Sequence, residues 1–328
     1  MAPTDLDSDL AAVVTDIEAL GVPGWGALSV ESGRRVEADL FGDGGESGGG
    51  SDAAAADADS GGRGADPVST VDLSFDGSGG PVPVRVYRPP ETPAPTLVFF
   101  HGGGWCLGTL DSADDIARGL CERVGAVVVS VDYRLAPEHP FPAAVDDAAD
   151  AVAWVREHAA ALGGDGRVGV AGTSAGGNLA AATALRESGE DDLSVQALLY
   201  PVTDRDFTTD SYAANADGPL LTRGDMEVFW DRYLRSDVDA ANPYAAPLRA
   251  SEAALGGTAE AVVVTAGHDP LRDDGARYAT RLDEAGVGTT HLDYPSMCHG
   301  FLSFGDAVPA ADAAFDEAAA AIRSAFDG

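Results

Sequence analysis

The stretch Gly172-Thr173-Ser174-Ala175-Gly176 constrains the fold of this chain more than any other. It has the form G-x-S-x-G, and it stands between a short apolar run at residues 167–171 and an alanine-rich helical pattern at 177–188. A strand that turns sharply into a helix holds the residue at the apex in a strained backbone conformation, which only small neighbours allow. The strain lifts the serine hydroxyl clear of the sheet, where a base can take its proton. The stretch therefore predicts a strand–turn–helix unit with a nucleophilic serine at its apex.

Further apolar runs predict eight strands, and helical patterns separate most of the later ones. The first two runs follow closely on one another, as in a hairpin, whereas alternating strands and helices require right-handed crossovers and a parallel sheet. The predicted fold class is therefore α/β, an eight-stranded mostly parallel sheet flanked by helices. The predicted strands are 71–75, 82–87, 96–100, 126–131, 167–171, 196–200, 261–266 and 289–294. The predicted helices are 5–20, 29–40, 113–124, 143–162, 177–188, 222–234, 271–285 and 310–326.

Composition divides the chain into three parts. Two amphipathic helices are expected within residues 1–41, and residues 42–66 then consist almost entirely of Gly, Ala, Ser and Asp without one large apolar side chain. We interpret 42–66 as a flexible acidic linker that carries no chemistry. Residues 67–328 form the predicted catalytic domain. Within it, an insertion at about 204–247 interrupts the alternation of strands and helices, and we expect it to join the N-terminal helices in a small helical cap over the site.

The charge of the chain excludes several classes of partner. The sequence has 54 acidic and 20 basic residues, for a net charge of −34, and it contains no lysine. Such a surface repels nucleic acid and anionic lipid, so neither is expected as a partner. At molar salt the screening length is about 3 Å and self-repulsion largely vanishes. The charge therefore suggests adaptation to high salt, in the cytoplasm of an organism that accumulates it.

The cysteines and the N-terminal residues indicate the compartment in which the protein is expected. The sequence has three cysteines, Cys106, Cys121 and Cys298, and no C-x-x-C motif. An odd number without that motif indicates neither a disulfide framework nor a zinc site. The first residues lack the basic start and apolar core of a signal peptide, and no apolar stretch approaches the length of a membrane span. We therefore expect a cytoplasmic protein without a membrane span, and the sequence is compatible with a homodimer.

A serine nucleophile needs a base, and a carboxylate to orient that base. Among six histidines, His299 follows the last predicted strand and precedes the last helix, which is where this topology places the base. The carboxylate should follow the preceding strand, where Asp269 lies before Pro270. Asp273 and Asp274 are alternatives, but they fall inside the next helix, where acidic residues favour the helix dipole without any catalytic role. The predicted catalytic residues are Ser174, Asp269 and His299.

Backbone donors for the developing oxyanion are expected from two places. The run His101-Gly102-Gly103-Gly104-Trp105 follows a strand directly, and glycines there let backbone N–H groups approach a ligand. The amides of Gly103 and Gly104, with that of Ala175 after the nucleophile, form the predicted oxyanion hole.

These motifs, taken together, resemble the hormone-sensitive lipase family. The resemblance rests on 101–105, on Asp132-Tyr133-Arg134-Leu135-Ala136-Pro137-Glu138-His139-Pro140-Phe141-Pro142, on 172–179, on 269–273 and on 299–301, and it extends from about residue 71 to the C-terminus. It implies the α/β-hydrolase fold, hydrolysis of short-acyl esters and no cofactor, and we expect no metal site. It also implies the same triad and oxyanion hole. Thr173 stands where the family usually has Asp, which removes a carboxylate beside the turn.

Several roles remain open at this point. An amidase or deacetylase would use the same machinery, and a ligand-binding receptor on this scaffold is a further alternative that His299 disfavours. A structural or interaction protein is a third alternative, which would leave the triad-like set of residues unexplained. Arg134 and Glu138 are expected to form a local polar network that braces the site. Cys298 is either a redox-sensitive thiol or a packing residue, and Trp105, Phe207, Phe229 and Trp230 line an acyl pocket or form the core of the cap.

Overall fold

The computed structural model describes residues 4–42, 68–189 and 193–328. Within these ranges, eight strands form one sheet in the order β1-β2-β4-β3-β5-β6-β7-β8. The strands are β1 (Ser69–Gly77), β2 (Gly80–Arg88), β3 (Ala94–Phe100), β4 (Val127–Val131), β5 (Gly164–Thr173), β6 (Val195–Leu199), β7 (Glu260–His268) and β8 (Thr289–Cys298). The predicted α/β-hydrolase fold class is confirmed. The predicted linker at 42–66 lies outside the described residues, apart from Gly42.

Strand direction follows the sequence pattern. β1 and β2 form an antiparallel hairpin, β2 pairs with β4 antiparallel, and every pair from β4 to β8 is parallel. The predicted β5 and β8 are shorter than the observed strands. β8 runs on to Cys298 because a register shift after Ala266 lets it continue pairing as far as His268. As a result, His299 follows directly on the strand end.

Helices cover both faces of the sheet, as right-handed crossovers require. They are α1 (Ser8–Ala19), α2 (Val30–Phe41), α3 (Asp114–Leu120), α4 (Ala143–Leu162), α5 (Ala175–Arg186), α6 (Asp210–Ala214), α7 (Arg223–Tyr233), α8 (Glu252–Leu255), α9 (Arg272–Glu284) and α10 (Pro309–Asp327). The predicted helix at 113–124 is divided, because α3 passes into a π-helical turn at Cys121–Gly125. No helix in the described ranges has the length and hydropathy to cross a bilayer.

Two apolar layers hold the sheet between the helices. Side chains of α4, α5 and α9 pack on one face, and those of α3 and α10 pack on the other, joined by Leu10 and Val14 of α1. All of α5 up to Leu185 is buried, and its alanines let the helix lie close to the strands. Burial of this kind supplies most of the favourable free energy of folding, at roughly 25 cal/mol per Å² of apolar surface.

The N-terminal segment contacts the segment between β6 and β7. Trp25 Nε1 donates to the Leu220 carbonyl at 3.0 Å, and the Gly26 amide donates to Asp225 at 2.6 Å. Asp225 also closes a capping box with Thr222 at the start of α7. These bonds join two segments that are about 200 residues apart in sequence, and both segments border the cavity above the C-terminal edge of the parallel strands.

Candidate active site

The turn between β5 and α5 holds Ser174 in a conformation that few residues adopt. Its φ is 53° and its ψ is −116°. A Cβ at Gly176 would lie 1.9 Å from the Phe100 carbonyl oxygen, and one at Gly172 would lie 2.1 Å from the carbonyl oxygen of Gly176. Any side chain at either position would therefore collide with backbone. The small residues of the motif are required by this packing, and the Ser174 amide is fixed by donating to the Leu199 carbonyl at 2.9 Å.

His299 bridges Ser174 and Asp269. Its Nδ1 lies 2.7 Å from Asp269 Oδ2, and its Nε2 lies 2.9 Å from Ser174 Oγ. A carboxylate can only accept a hydrogen bond, so Nδ1 carries the proton and Nε2 accepts from the serine hydroxyl. The three predicted residues, 95 and 30 positions apart along the chain, thus meet at one edge of the sheet with the connectivity that general-base activation requires.

Asp269 is fully buried, and neighbouring groups fix its orientation. Its Oδ1 accepts from the Leu271 amide at 2.8 Å, while Oδ2 faces His299. The Asn215 side chain donates to the Asp269 carbonyl at 3.1 Å and holds the loop after β7 from the side of α6. Asn215 is not among the residues predicted from the sequence, since no local motif marks a residue that acts through this loop.

The alternative carboxylates have other partners. Asp274 is fully buried, and it accepts from the amides of Thr203 and Asp204 at 3.1 and 3.2 Å. Asp273 accepts from the Ser211 amide at 2.8 Å. Both therefore hold the segment after β6 against α9, and neither contacts His299.

The glycine run after β3 places backbone amides beside the serine. Gly103 and Gly104 have φ values of 107° and 57°, a region that favours glycine. A Cβ at Gly104 would lie 2.4 Å from the Phe229 ring. Among the described residues, the amides of Gly103, Gly104 and Ala175 donate to no acceptor. They border the cavity or immediately follow the serine, and can therefore receive a negatively charged oxygen.

Four of the five remaining histidines, His101, His158, His268 and His291, have partners away from Ser174. His101 is buried and stacks on Tyr133 at 4.4 Å, and burial lowers its pKa to about 4. Its Nδ1 donates to the Gly102 carbonyl at 2.7 Å, so the neutral ring supports the glycine loop. His268 contacts the Thr4 carbonyl, and His291 contacts Thr265 within the sheet. His158 lies on α4, and its Nδ1 contacts the Trp154 carbonyl.

The expected network between Arg134 and Glu138 is wrong. Arg134 instead forms a bidentate pair with Asp147, which is fully buried on α4. Glu138 is exposed and pairs with Arg34 of α2, at 2.7 Å between Nη2 and Oε2. The sequence interpretation paired neighbours in the motif, whereas the chain turns at each of them toward a different helix.

The cavity above Ser174 has a volume of about 380 Å³. Most of its wall is apolar and comes from the N-terminal helices and the segment after β6. Of the aromatics proposed for an acyl pocket, Phe229 lines the cavity and Phe207 does not. Trp105 and Trp230 are fully buried; Trp105 stacks on Tyr233, and the Trp230 ring is tilted against it. Sequence reasoning missed Glu37, Leu220 and Met226, which also line it.

Two further residues flank the triad. Thr173 is almost fully buried and lines the cavity beside Ser174. Cys298 is fully buried, burial raises the pKa of its thiol to about 12, and its Sγ contacts the His299 carbonyl. A thiol of this kind packs and stays protonated, which favours the packing interpretation over redox sensitivity. No group of His, Cys, Asp and Glu in the described ranges has the arrangement of a metal site.

Comparison with known proteins gives concordant matches. A sequence profile of a family with the alpha/beta hydrolase fold matches residues 97–303. The chain is 46% identical to the carboxylesterase NlhH of Mycobacterium tuberculosis over 251 residues, which is 75% of this chain and 79% of that protein. It is 43% identical to the esterase LipI of the same species over 270 residues, 80% and 83% of the two chains. Its structure is similar to that of an esterase from Pseudomonas putida ECU1011, with a TM-score of 0.87, 34% identity and 99% coverage of both chains.

Proposed function

Because the chain belongs to the alpha/beta-hydrolase family of the hormone-sensitive lipase type and is a carboxylic ester hydrolase, we propose that it cleaves short-acyl esters through a serine acyl-enzyme. The observation that carries the proposal is the imidazole of His299, in contact with the Ser174 hydroxyl on one side and the Asp269 carboxylate on the other. A cavity of about 380 Å³ suits a small ester.

The first step forms the acyl-enzyme. His299 Nε2 takes the proton of Ser174 Oγ as this oxygen attacks the ester carbonyl, and Asp269 stabilises the imidazolium that results. The carbonyl electrons move to the oxygen, which the amides of Gly103, Gly104 and Ala175 receive. Each such donor is worth about 3 kcal/mol in the transition state. When the tetrahedral intermediate collapses, the C–O bond breaks and His299 gives its proton to the departing alkoxide.

Water repeats the sequence in the second step. His299 removes a proton from the water as it attacks the acyl carbon, the same amides receive the oxyanion, and the Ser174–acyl bond breaks. The proton returns to Ser174 Oγ, and the carboxylic acid leaves. Every proton is thus transferred by one imidazole, whose orientation Asp269 keeps constant.

Replacement of Ser174 tests the nucleophile. We expect Ser174→Ala to hydrolyse p-nitrophenyl butyrate at least about 10³-fold more slowly than the wild type, since the nucleophile itself is removed. Its thermal unfolding should stay close to that of the wild type. Turnover retained at the wild-type rate would exclude Ser174.

An amidase or deacetylase is the alternative that uses the same residues. Ester cleavage is favoured because the curated relatives reported above are named as esterases. Rates on a matched pair, p-nitrophenyl butyrate and p-nitrobutyranilide, distinguish the two activities. A higher kcat/KM for the anilide would assign the amidase function instead.

We further propose that α1 and α2, together with about residues 204–247, act as a cap over the catalytic domain, which begins after the 42–66 segment. The bonds from Trp25 and Gly26 to the segment after β6 support this division. Both parts of the cap border the cavity, so they would determine which esters reach Ser174.

We also propose adaptation to a salt-rich cytoplasm. The net charge of −34 and the absence of lysine support it, since so many like charges destabilise a compact chain unless salt screens them. Dilution from molar KCl into low-salt buffer should then reduce the helical circular dichroism and the esterase activity together. Full retention of both would contradict this proposal.

A further inference from the structure

The cavity wall contains carboxyl groups that the proposed chemistry does not use. Three of the lining residues carry carboxyl groups, namely Glu18, Glu37 and Asp225, and no arginine is among the described residues that line it. Glu18 is exposed. Asp225 accepts from the Gly26 amide, the Thr222 amide and the Thr222 hydroxyl, so its role is structural. Glu37 differs from both.

Glu37 lies on α2 and is 9% exposed, and its Oε2 has no hydrogen-bond partner among the described residues. One turn earlier, Gly33 lets the helix approach the loop after β3, because a Cβ there would lie 3.1 Å from Leu107. The close approach brings the carboxyl beside Gly108 and Ser112, and all three residues border the cavity.

The groups that could neutralise Glu37 are committed elsewhere. Arg34, on the same helix, donates to the carbonyls of Cys106 and Ala136 and to Glu138. Arg35 pairs with Glu31 at 3.1 Å. The neighbouring basic side chains therefore leave the carboxyl oxygen open.

Such a carboxyl is a poor choice for packing alone. Burial raises its pKa, against the opposing effect of Ser112 and the Gly108 amide, because the charged form is poorly solvated there. An apolar side chain would fill the same space between α2 and the glycine loop without that penalty. The position is instead suited to a group that accepts a hydrogen bond from a molecule in the cavity.

We propose that Glu37 is a specificity-determining residue that accepts a hydrogen bond from a hydroxyl or ammonium group of the ester. The inference rests on the proposed function of the same cavity. The enzyme then prefers esters that carry such a donor over plain alkyl esters of equal length. It discriminates against esters that also carry a free carboxylate, since the described residues of the wall include carboxyl groups and no basic side chain.

Matched ester pairs test this preference. Each pair has the same number of heavy atoms and differs in one terminal group, as in ethyl 6-hydroxyhexanoate and ethyl 6-aminohexanoate against ethyl heptanoate, over a series of acyl lengths. A parallel series varies the alcohol, as in 4-hydroxybutyl butyrate against pentyl butyrate. Hydrolysis is followed by pH-stat titration, and the readout is the ratio of kcat/KM for the donor ester to that for the plain ester.

We expect the wild type to favour the donor ester at one chain length or more. In Glu37→Leu the ratio should fall by about tenfold or more, since a hydrogen bond to a buried carboxyl group is lost. Glu37→Gln should keep part of the preference for the hydroxyl ester and lose that for the ammonium ester. Glu31→Gln removes the same negative charge from an exposed position on the same helix. It should leave both ratios unchanged.

The outcomes separate this inference from the proposed function. A wild type that prefers plain esters at every length, or variants at residue 37 with unchanged ratios, would overturn the inference while plain ester hydrolysis persists. Absence of hydrolysis of every ester would instead refute the proposed function. If Glu37→Leu does not fold, Glu37→Gln provides the test. An unchanged ratio of kcat/KM for the ammonium ester to that for the plain ester in this variant would also overturn the inference.

Discussion

Arg34 of α2 and Glu138 of the loop after β4 form a bidentate ion pair, with Nη1–Oε1 at 2.9 Å and Nη2–Oε2 at 2.7 Å. The same guanidinium donates through Nε to the Cys106 carbonyl at 2.9 Å, within the loop that carries the glycine run. One side chain thus ties an N-terminal helix to the loop on which the proposed oxyanion donors lie.

Because of this connection, we expect substitution of Arg34 to reduce activity more than stability. Arg34→Ala should lower kcat for p-nitrophenyl butyrate by roughly five- to fiftyfold, because small displacements of the donors weaken transition-state binding. The pair is partly exposed, so the free energy of unfolding should change by about 1 kcal/mol or less. Arg34→Lys should restore little, since it lacks the planar fork. Steady-state kinetics and chemical denaturation measure the two effects. Arg35→Ala, an exposed change one residue away, is the control, and an equal loss of kcat there would contradict the prediction.

Two glycine substitutions distinguish the loss of an oxyanion donor from the cost of backbone strain alone. Gly104→Ala forces a Cβ to 2.4 Å from the Phe229 ring at a φ of 57°, so the loop must shift. We expect kcat to fall by about 10²-fold or more, as when an oxyanion donor is lost. Gly125→Ala has a similar φ of 70° with nothing within 4 Å of the new Cβ. It should cost about 1–2 kcal/mol of stability and leave kcat unchanged. Equal kcat values for the two variants would show that the Gly104 amide has no catalytic role.

Asp274 predicts a pH dependence of stability. Burial raises its pKa well above the usual value, the charges of Asp204 and Asp269 act in the same direction, and the amides of Thr203 and Asp204 oppose them. The native state therefore keeps a proton that the unfolded chain releases above about pH 4. Its contribution to stability is present below that pH and is lost as pH rises toward the folded pKa.

Substitution isolates this contribution. Asp274→Asn should reduce the decline in the free energy of unfolding between pH 5 and pH 8, measured by urea denaturation at constant high salt. Asp283→Asn, an exposed change on the same helix, should follow the wild-type profile. Carboxyls that do not interact with Asp274 contribute equally to all three proteins and cancel in the comparison. A steeper decline in Asp274→Asn than in the wild type would contradict the assignment.

Much of the site could be predicted because each part lies in a local pattern. Ser174 and the small residues around it form the G-x-S-x-G motif between an apolar run and a helical pattern, which is visible in the sequence alone. His299 and Asp269 follow strand ends, which a parallel sheet brings to one edge. Glu37 and Arg34 could not be identified in this way, because their roles depend on where α2 docks relative to the glycine loop, and no local pattern encodes that position. The pairing of Arg134 with Glu138 failed for the same reason, since each partner lies on a different helix.

The central claim is that Ser174 is a nucleophile activated by His299, and covalent labelling tests it most directly. A fluorophosphonate, incubated with the wild type in high salt, should add one group per chain, and peptide mass spectrometry should place it on Ser174. His299→Ala should be labelled at least about 10²-fold more slowly, because the base is absent. Labelling of another residue, or equal labelling rates in the wild type and His299→Ala, would contradict the account.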